Sequence, residues 1–439
     1  MSAKSHNIGF WEVVAIGVGG MVGGGIFAVL GLSVQLAHGG APLAFAIGGV
    51  VALLTAYSYS KLSVAFPSQG GTVVFLDRAF SPNMIVGATN ILLWLSYIVM
   101  LSLYSFAFGS YGAAFAPAAQ HILVKHILIT VSIVLITGLN LLSADAIGKA
   151  ETWIVALKVT ILLLFVGLGV SQIDAAQVSP SAWAPPLQII AGGMIIFLAY
   201  EGFELIANTA HDVKDPRKTL PRAFFTAVLF VIALYIMVAL VTTGSLPVDK
   251  IVAAKDYALA VAAKPFLGQA GFVLIACAAL LSTGSAINAT LYGAARLSFT
   301  IAKEGELPEI LEKKVWHRPA EGLLITAAVT LLIANLFDIS SISTMGSAGF
   351  LLIFAAVNGA NLKLRRETGS NLWVPLLGLL ACSAALVVLL WQTYRTAPAR
   401  LLILVVMAAL AFLVEWLYRE FRRGALRLGH HQRGSDKVT

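Results

Sequence analysis

Apolar residues run along this chain in stretches of about twenty, each long enough to cross roughly 30 Å of hydrocarbon, with short polar segments between them. Twelve such stretches stand out, at about 10–36, 41–66, 83–115, 122–142, 148–172, 186–210, 220–243, 267–302, 320–336, 340–364, 374–394 and 400–419. Inside a stretch such as 154–170 nearly every side is apolar, whereas a strand of a membrane barrel would alternate apolar and polar positions. The pattern predicts an all-α integral membrane protein with twelve transmembrane helices. They form a single domain over 1–439 that ends in a basic tail at 421–439.

Composition agrees, since 59% of the 439 residues are hydrophobic, 11% are charged and the mean hydropathy is +0.89. A soluble domain carries roughly 25% charged residues, so the bilayer is the solvent this chain requires. The segment 1–12 is short and polar and lacks the apolar core and cleavage site of a secretory signal, so no removal is expected. Cys277 and Cys382 both fall in apolar runs, where a thiol packs as a small hydrophobe. Lysines and arginines give the orientation, because they gather in cytoplasmic loops. With the N-terminus inside, 22 of the 29 lie on the inner side, 6 on the outer side, and Lys158 alone stays within a span. Both termini are therefore expected in the cytoplasm of a multi-pass cell-membrane protein. The net charge of +8 then reflects topology and attraction to anionic lipid rather than a nucleic-acid partner.

Two spans break the rule that helix interiors avoid glycine. The first reads Ile16-Gly17-Val18-Gly19-Gly20-Met21-Val22-Gly23-Gly24-Gly25-Ile26-Phe27, and each glycine costs up to about 1 kcal/mol relative to Ala. Such a run is expected to unwind, which at membrane depth is tolerated where it faces protein or a water-filled cavity. The alternative is a tight small-xxx-small seam, but glycines at 19, 20, 23, 24 and 25 cover more than one face. The sixth span carries Phe197-Leu198-Ala199-Tyr200-Glu201-Gly202-Phe203-Glu204, two carboxyls and a glycine at mid-segment, where ionisable groups usually line a site. Gly202 follows Val22 by 180 residues, and each interruption opens a group of five spans. Paired interruptions of this kind point to an inverted-repeat transporter with its site at the midplane, the alternative being two unrelated kinks.

Other classes find less support. The glycines do not meet G-x-G-x-x-G in register and no phosphate-binding G-x-x-x-x-G-K-[ST] occurs, so neither a dinucleotide site nor an ATP motor is indicated. No His-Glu-x-x-His or other metal spacing is present, and no cofactor, metal or enzymatic role is expected. An ion channel, the remaining competitor, usually needs a ringed filter, and no filter segment repeats here.

Taken in order, Trp11-Glu12 with Gly23-Gly24-Gly25-Ile26-Phe27, Ala199-Tyr200-Glu201-Gly202-Phe203-Glu204, Asp215-Pro216-Arg217-Lys218-Thr219-Leu220-Pro221 and Ala302-Lys303-Glu304-Gly305-Glu306-Leu307-Pro308 resemble the amino acid–polyamine–organocation superfamily. The likeness extends over nearly the whole chain and looks closest to prokaryotic proton-coupled amino acid permeases with a lysine in the fifth span, which Lys158 reproduces. It implies a five-plus-five inverted repeat, over 10–172 and 186–366, with broken helices 1 and 6 and two additional helices at 372–420. It implies alternating access, with spans one, two, six and seven rocking against the rest. The substrate implied is an L-amino acid moved in symport with protons; exchange, or transport of a polyamine or other amine, remains open. Gly19, Gly20, Val22, Gly23, Gly24, Gly25, Phe197, Ala199, Tyr200, Glu201 and Gly202 are the expected substrate-binding residues, since half-helix N-termini present amides to a carboxylate and unwound carbonyls accept from an ammonium. Phe197 and Tyr200, with Phe203, are expected to form an aromatic wall. Glu204 matches an acid common in the family, while Glu201 departs from a usually apolar position and is open to three roles: selectivity for a cationic side chain, proton carriage or structural pairing. Lys158 lies about ten residues into its span, roughly 15 Å deep, beyond the reach of snorkelling. It is expected to couple protons by bridging carbonyls near Gly19 to Ser282, Thr283 or Ser285 of the eighth span.

Overall fold

The computed structural model describes residues 8–142, 147–303 and 320–435, and the described residues are almost entirely helical. Two isolated bridges, Ile8 to Val213 and His38 to Trp183, are the only β pairings among the described residues. Helix is what these sequences require in lipid, because it satisfies every backbone N–H and C=O within one segment. Among the described residues nine helices are long and apolar enough to cross a bilayer, and eleven spans result if each of two bent helix pairs counts as one. The remaining apolar stretch of the sequence forms Ala320–Leu336, at 17 residues shorter than the other candidates. The motif at 302–308 and the basic cluster Lys313, Lys314 and Arg318 lie largely outside the described residues.

The two bent pairs are Phe10–Met21 with Gly25–Ala37, at 46°, and Pro186–Ile195 with Phe197–Asp212, at 42°. They pack on one another and on the helices Ala41–Ala65 and Pro216–Ser245, so the two breaks sit side by side inside one bundle. Against this bundle stand Met84–Ala113 and Ile339–Lys363, whose apolar windows are 89% and 83% buried by protein. The windows of Ala118–Leu141 and Ala399–Glu420 are only 22% buried, and their large side chains, Ile122, Leu135, Leu402 and Trp416 among them, point outward. An apolar surface of that extent belongs against lipid. The chain is a multi-pass membrane protein with two well-buried scaffold helices and a lipid-facing rim.

Helix starts follow local chemistry. Asn83 accepts from the amides of Ile85 and Val86 at 2.9 and 3.1 Å and so caps Met84–Ala113. Asp338 accepts from the Ser341 amide at 2.9 Å to cap Ile339–Lys363, and from Arg400 at 3.1 Å, which ties that end to the helix Ala399–Ser435. Partial burial pushes the Asp338 carboxyl up, but the Ser341 hydrogen bonds and the Arg400 and Lys255 charges outweigh it, leaving the group below the ordinary aspartate value.

Candidate functional site

The last turn of Phe10–Met21 leaves carbonyls without helical partners, and each finds a donor. Val18 and Gly20 accept from the amides of Val22 and Gly23 at 2.8 and 3.2 Å. The Gly19 carbonyl accepts from the Lys158 ammonium at 3.0 Å, and the Met21 carbonyl from the Tyr235 hydroxyl at 2.6 Å. The Val22 carbonyl accepts from Ser282 at 2.8 Å, and the same hydroxyl lies against the Gly23 carbonyl. Three helices distant in sequence therefore hold the break open with a lysine, a tyrosine and a serine. Glycine at position 19 permits this approach, because a Cβ there would lie 2.8 Å from Val155, one turn before Lys158. Lys158 is 1% exposed.

The second bend falls at Ile196, six residues before the expected Gly202. There Ser343 and Ser347 both donate to the Ile195 carbonyl, at 2.5 and 3.0 Å, and Ser347 accepts from the Leu198 amide at 3.3 Å. Beyond the bend, Phe197–Asp212 winds as a 3₁₀ helix over 16 residues, although such runs rarely exceed three or four. Side chains three apart eclipse in this winding, which stacks Glu201 on Glu204 closely enough to hydrogen-bond. Glu204 also accepts from Tyr97 at 2.6 Å and from Tyr59 at 3.1 Å, while Tyr59 meets Thr72 at 2.7 Å. Gly202 serves as a close-approach point, since a Cβ there would run into the backbone of Gly20 and Met21. Tyr235 reaches the Ala199 carbonyl at 3.3 Å as well as Met21, so one hydroxyl is aimed at both breaks.

A cavity of about 120 Å³ opens beside this crossing, walled by Gly19, Gly20 and Ile16 of the first broken helix, Glu201 and Leu205 of the second, and Val155, Tyr104, Ala286, Ala289 and Thr290 of the scaffold. It has room for several water molecules or a small solute. A vestibule of about 280 Å³ shares Ile16, Leu205 and Ala289 with it and continues past Tyr97, Gln69, Asn208 and Thr209. That end of the protein also carries the Ile8 to Val213 bridge.

Of the residues singled out from the sequence, Gly19, Gly20 and Glu201 face the cavity. Val22, Gly23, Gly24 and Gly25 are buried beside it: the Tyr104 ring covers Gly24, with the Thr283 methyl next to it, and Gly25 packs on Ala199. Ser282 contacts the break as described, and Ser285 is buried one turn from it. Phe197 and Tyr200 lie elsewhere in this conformation. Phe197 packs edge-on against Phe354, and Tyr200 donates to the Phe45 carbonyl at 2.8 Å and leans on Tyr235. Residues that the sequence did not single out are Tyr104, Tyr235, Tyr59, Tyr97, Ser343 and Ser347. Their one common signal is a hydroxyl inside an apolar span.

The amino acid permease family model matches residues 12–422. An uncharacterized protein of Methanocaldococcus jannaschii is 36% identical, the match covering 90% of this chain and 91% of that protein. The inner membrane transport protein YbaT of Escherichia coli strain K12 is 34% identical, over 87% and 90%. The low-affinity putrescine importer PlaP of the same organism is 27% identical, over 79% and 78%.

Proposed function

The chain belongs to the amino acid permease family, and from that premise we propose that it is a secondary transporter of L-amino acids, driven by proton symport and working by alternating access. Membership makes it a carrier of amino acids or amines and not an enzyme. The finer proposal is twelve spans in two inverted groups of five plus two, with both termini in the cytoplasm and the vestibule facing inward. Its support is the paired breaks, each held by hydroxyls from helices distant in sequence: Ser282 and Tyr235 at the first, Ser343 and Ser347 at the second.

The observation that carries the coupling mechanism is the buried Lys158 ammonium bonded to the Gly19 carbonyl at 3.0 Å. A charged amine fastens the scaffold helix Ile147–Gly169 to the first half-helix of the bundle. When the amine gives up its proton, the strong charge-assisted bond is lost, and the bundle is released to rock. The substrate carboxylate is placed at the start of Gly25–Ala37, whose first-turn amides lack helical partners and whose dipole favours an anion. Tyr104 covers Gly24 and must swing aside for that contact to form.

The test is uptake by purified protein in proteoliposomes. An inward proton gradient should drive accumulation without sodium, and Lys158→Ala should abolish gradient-driven uptake while substrate binding persists. Sodium-dependent uptake, or undiminished pH-driven uptake by the alanine variant, would remove Lys158 from the mechanism. PlaP is named for putrescine, which has no carboxylate, so amines belong in the same competition panel.

A further inference from the structure

Glu201 is the one carboxyl on the wall of the cavity between the broken helices, and it is only 4% exposed. Around it the wall is apolar, built from Ile16, Val155, Leu205 and Ala286, with hydroxyls only at Tyr104 and Thr290. Its neighbour Glu204, one 3₁₀ turn on, is occupied differently: Tyr97 and Tyr59 each donate to one of its two oxygens, and Glu204 does not line the cavity. The two carboxyls share a hydrogen bond, and of the pair Glu204 is held by the tyrosines while Glu201 is the member that borders the cavity. The ion pairs among the described residues, at Lys125, His211, Arg400 and Arg419, do not involve Glu201. Lys158 approaches the same region, but its ammonium is on the Gly19 carbonyl.

We propose that Glu201 is a selectivity carboxylate, which makes the preferred substrates amino acids whose side chain ends in a cation. Gly19 and Gly20 share the cavity with Glu201, so a solute whose main-chain groups sit at the first break has its side chain directed past this carboxyl. A cationic end group donates hydrogen bonds to it in a wall that offers few other polar contacts. An apolar side chain of equal length displaces the water that solvates the carboxyl and returns no donor. Sites built around a hydrogen bond reject the analogue that lacks it far more strongly than apolar pockets discriminate by size. The proposal rests on the transporter reading of the same site.

The experiment measures dissociation constants of the full-length protein for two pairs, lysine with norleucine and ornithine with norvaline, whose members differ only by the terminal amine. Wild type should favour the cationic member of each pair by about tenfold or more, and Glu201→Gln should shrink that ratio to roughly threefold or less. 6-Hydroxynorleucine, which keeps the length and replaces the ammonium with a neutral hydroxyl, should bind wild type at least about tenfold more weakly than lysine. This last measurement decides the matter even where the glutamine variant fails to fold. A wild type that binds norleucine as well as lysine, or a Glu201→Gln ratio equal to that of wild type, overturns the selectivity role and leaves amino acid transport intact. Binding of no amino acid at all overturns both.

Discussion

At the scale of single residues, glycines at a break and glycines in an unbroken span differ in what lies opposite each missing Cβ. Gly202 has the backbone of Gly20 and Met21 there, which cannot yield as a flexible side chain can, while Gly167 has nothing within 4 Å. Gly202→Ala should therefore push the broken helices apart and cost at least about 2 kcal/mol by overpacking. Gly167→Ala should be neutral or stabilise by up to about 1 kcal/mol, through helix propensity alone. Thermal melting in detergent checks both, and a Gly202→Ala protein as stable as wild type would show that the backbones are not in contact. The charged residues of this region were legible because a lysine at 158 or a glutamate at 201 is conspicuous against an apolar run. The tyrosines were not. Tyr104, Tyr97 and Tyr235 are mostly ring, so in sequence they pass for ordinary span residues, and only the folded chain shows their hydroxyls or rings at the breaks and the cavity.

At the scale of elements, a break in a membrane helix persists only if its orphaned carbonyls are satisfied, and at the first break Ser282 serves two of them. Ser282→Ala should leave the Val22 and Gly23 carbonyls without that donor and cost about 1–3 kcal/mol, the usual penalty for an unsatisfied buried polar group. A lowered melting temperature, with relief where threonine replaces the serine instead, is the expected outcome. An alanine variant that melts with wild type would mean that other donors hold the break. The same logic explains where the sequence misplaced the second bend. Glycine reports only that a backbone can deviate, and at Gly202 that freedom is used for close packing. The bend itself is at Ile196, where the donors are Ser343 and Ser347, almost 150 residues downstream. No local pattern carries such a partner. The first break was legible because three consecutive glycines fall at the bend itself, at residues 23 to 25.

At the scale of the whole molecule, the length and apolarity of the spans prescribed the helices, but which of them pack around the two breaks is a matter of contacts between segments far apart in sequence. The bundle and the scaffold meet at the cavity, and the interactions that cross between them include Lys158 to Gly19, Tyr97 to Glu204 and Ser282 to Val22. The vestibule runs from this crossing toward Asn208 and Thr209, at the end that carries Ile8 and Val213. Gln35 lies at the other end of the first broken helix, exposed beside Lys255 and Asp256. If the basic loops are cytoplasmic, the conformation is open inward. Its access can be read by labelling with a membrane-impermeant thiol reagent. In a Cys277→Ala background, which removes the exposed native thiol, Asn208→Cys should react only from the cytoplasmic face and Gln35→Cys only from the opposite face. If the bundle rocks, a substrate and proton gradient that favours the outward-open state should slow labelling at position 208 severalfold. On the proposed coupling through Lys158, the same gradient should leave position 208 unaffected in Lys158→Ala. Labelling of position 208 from the face that also labels position 35 would contradict the inward-open assignment. A gradient response that survives in Lys158→Ala would place the coupling elsewhere, with the buried Glu201 and Glu204 pair next in line.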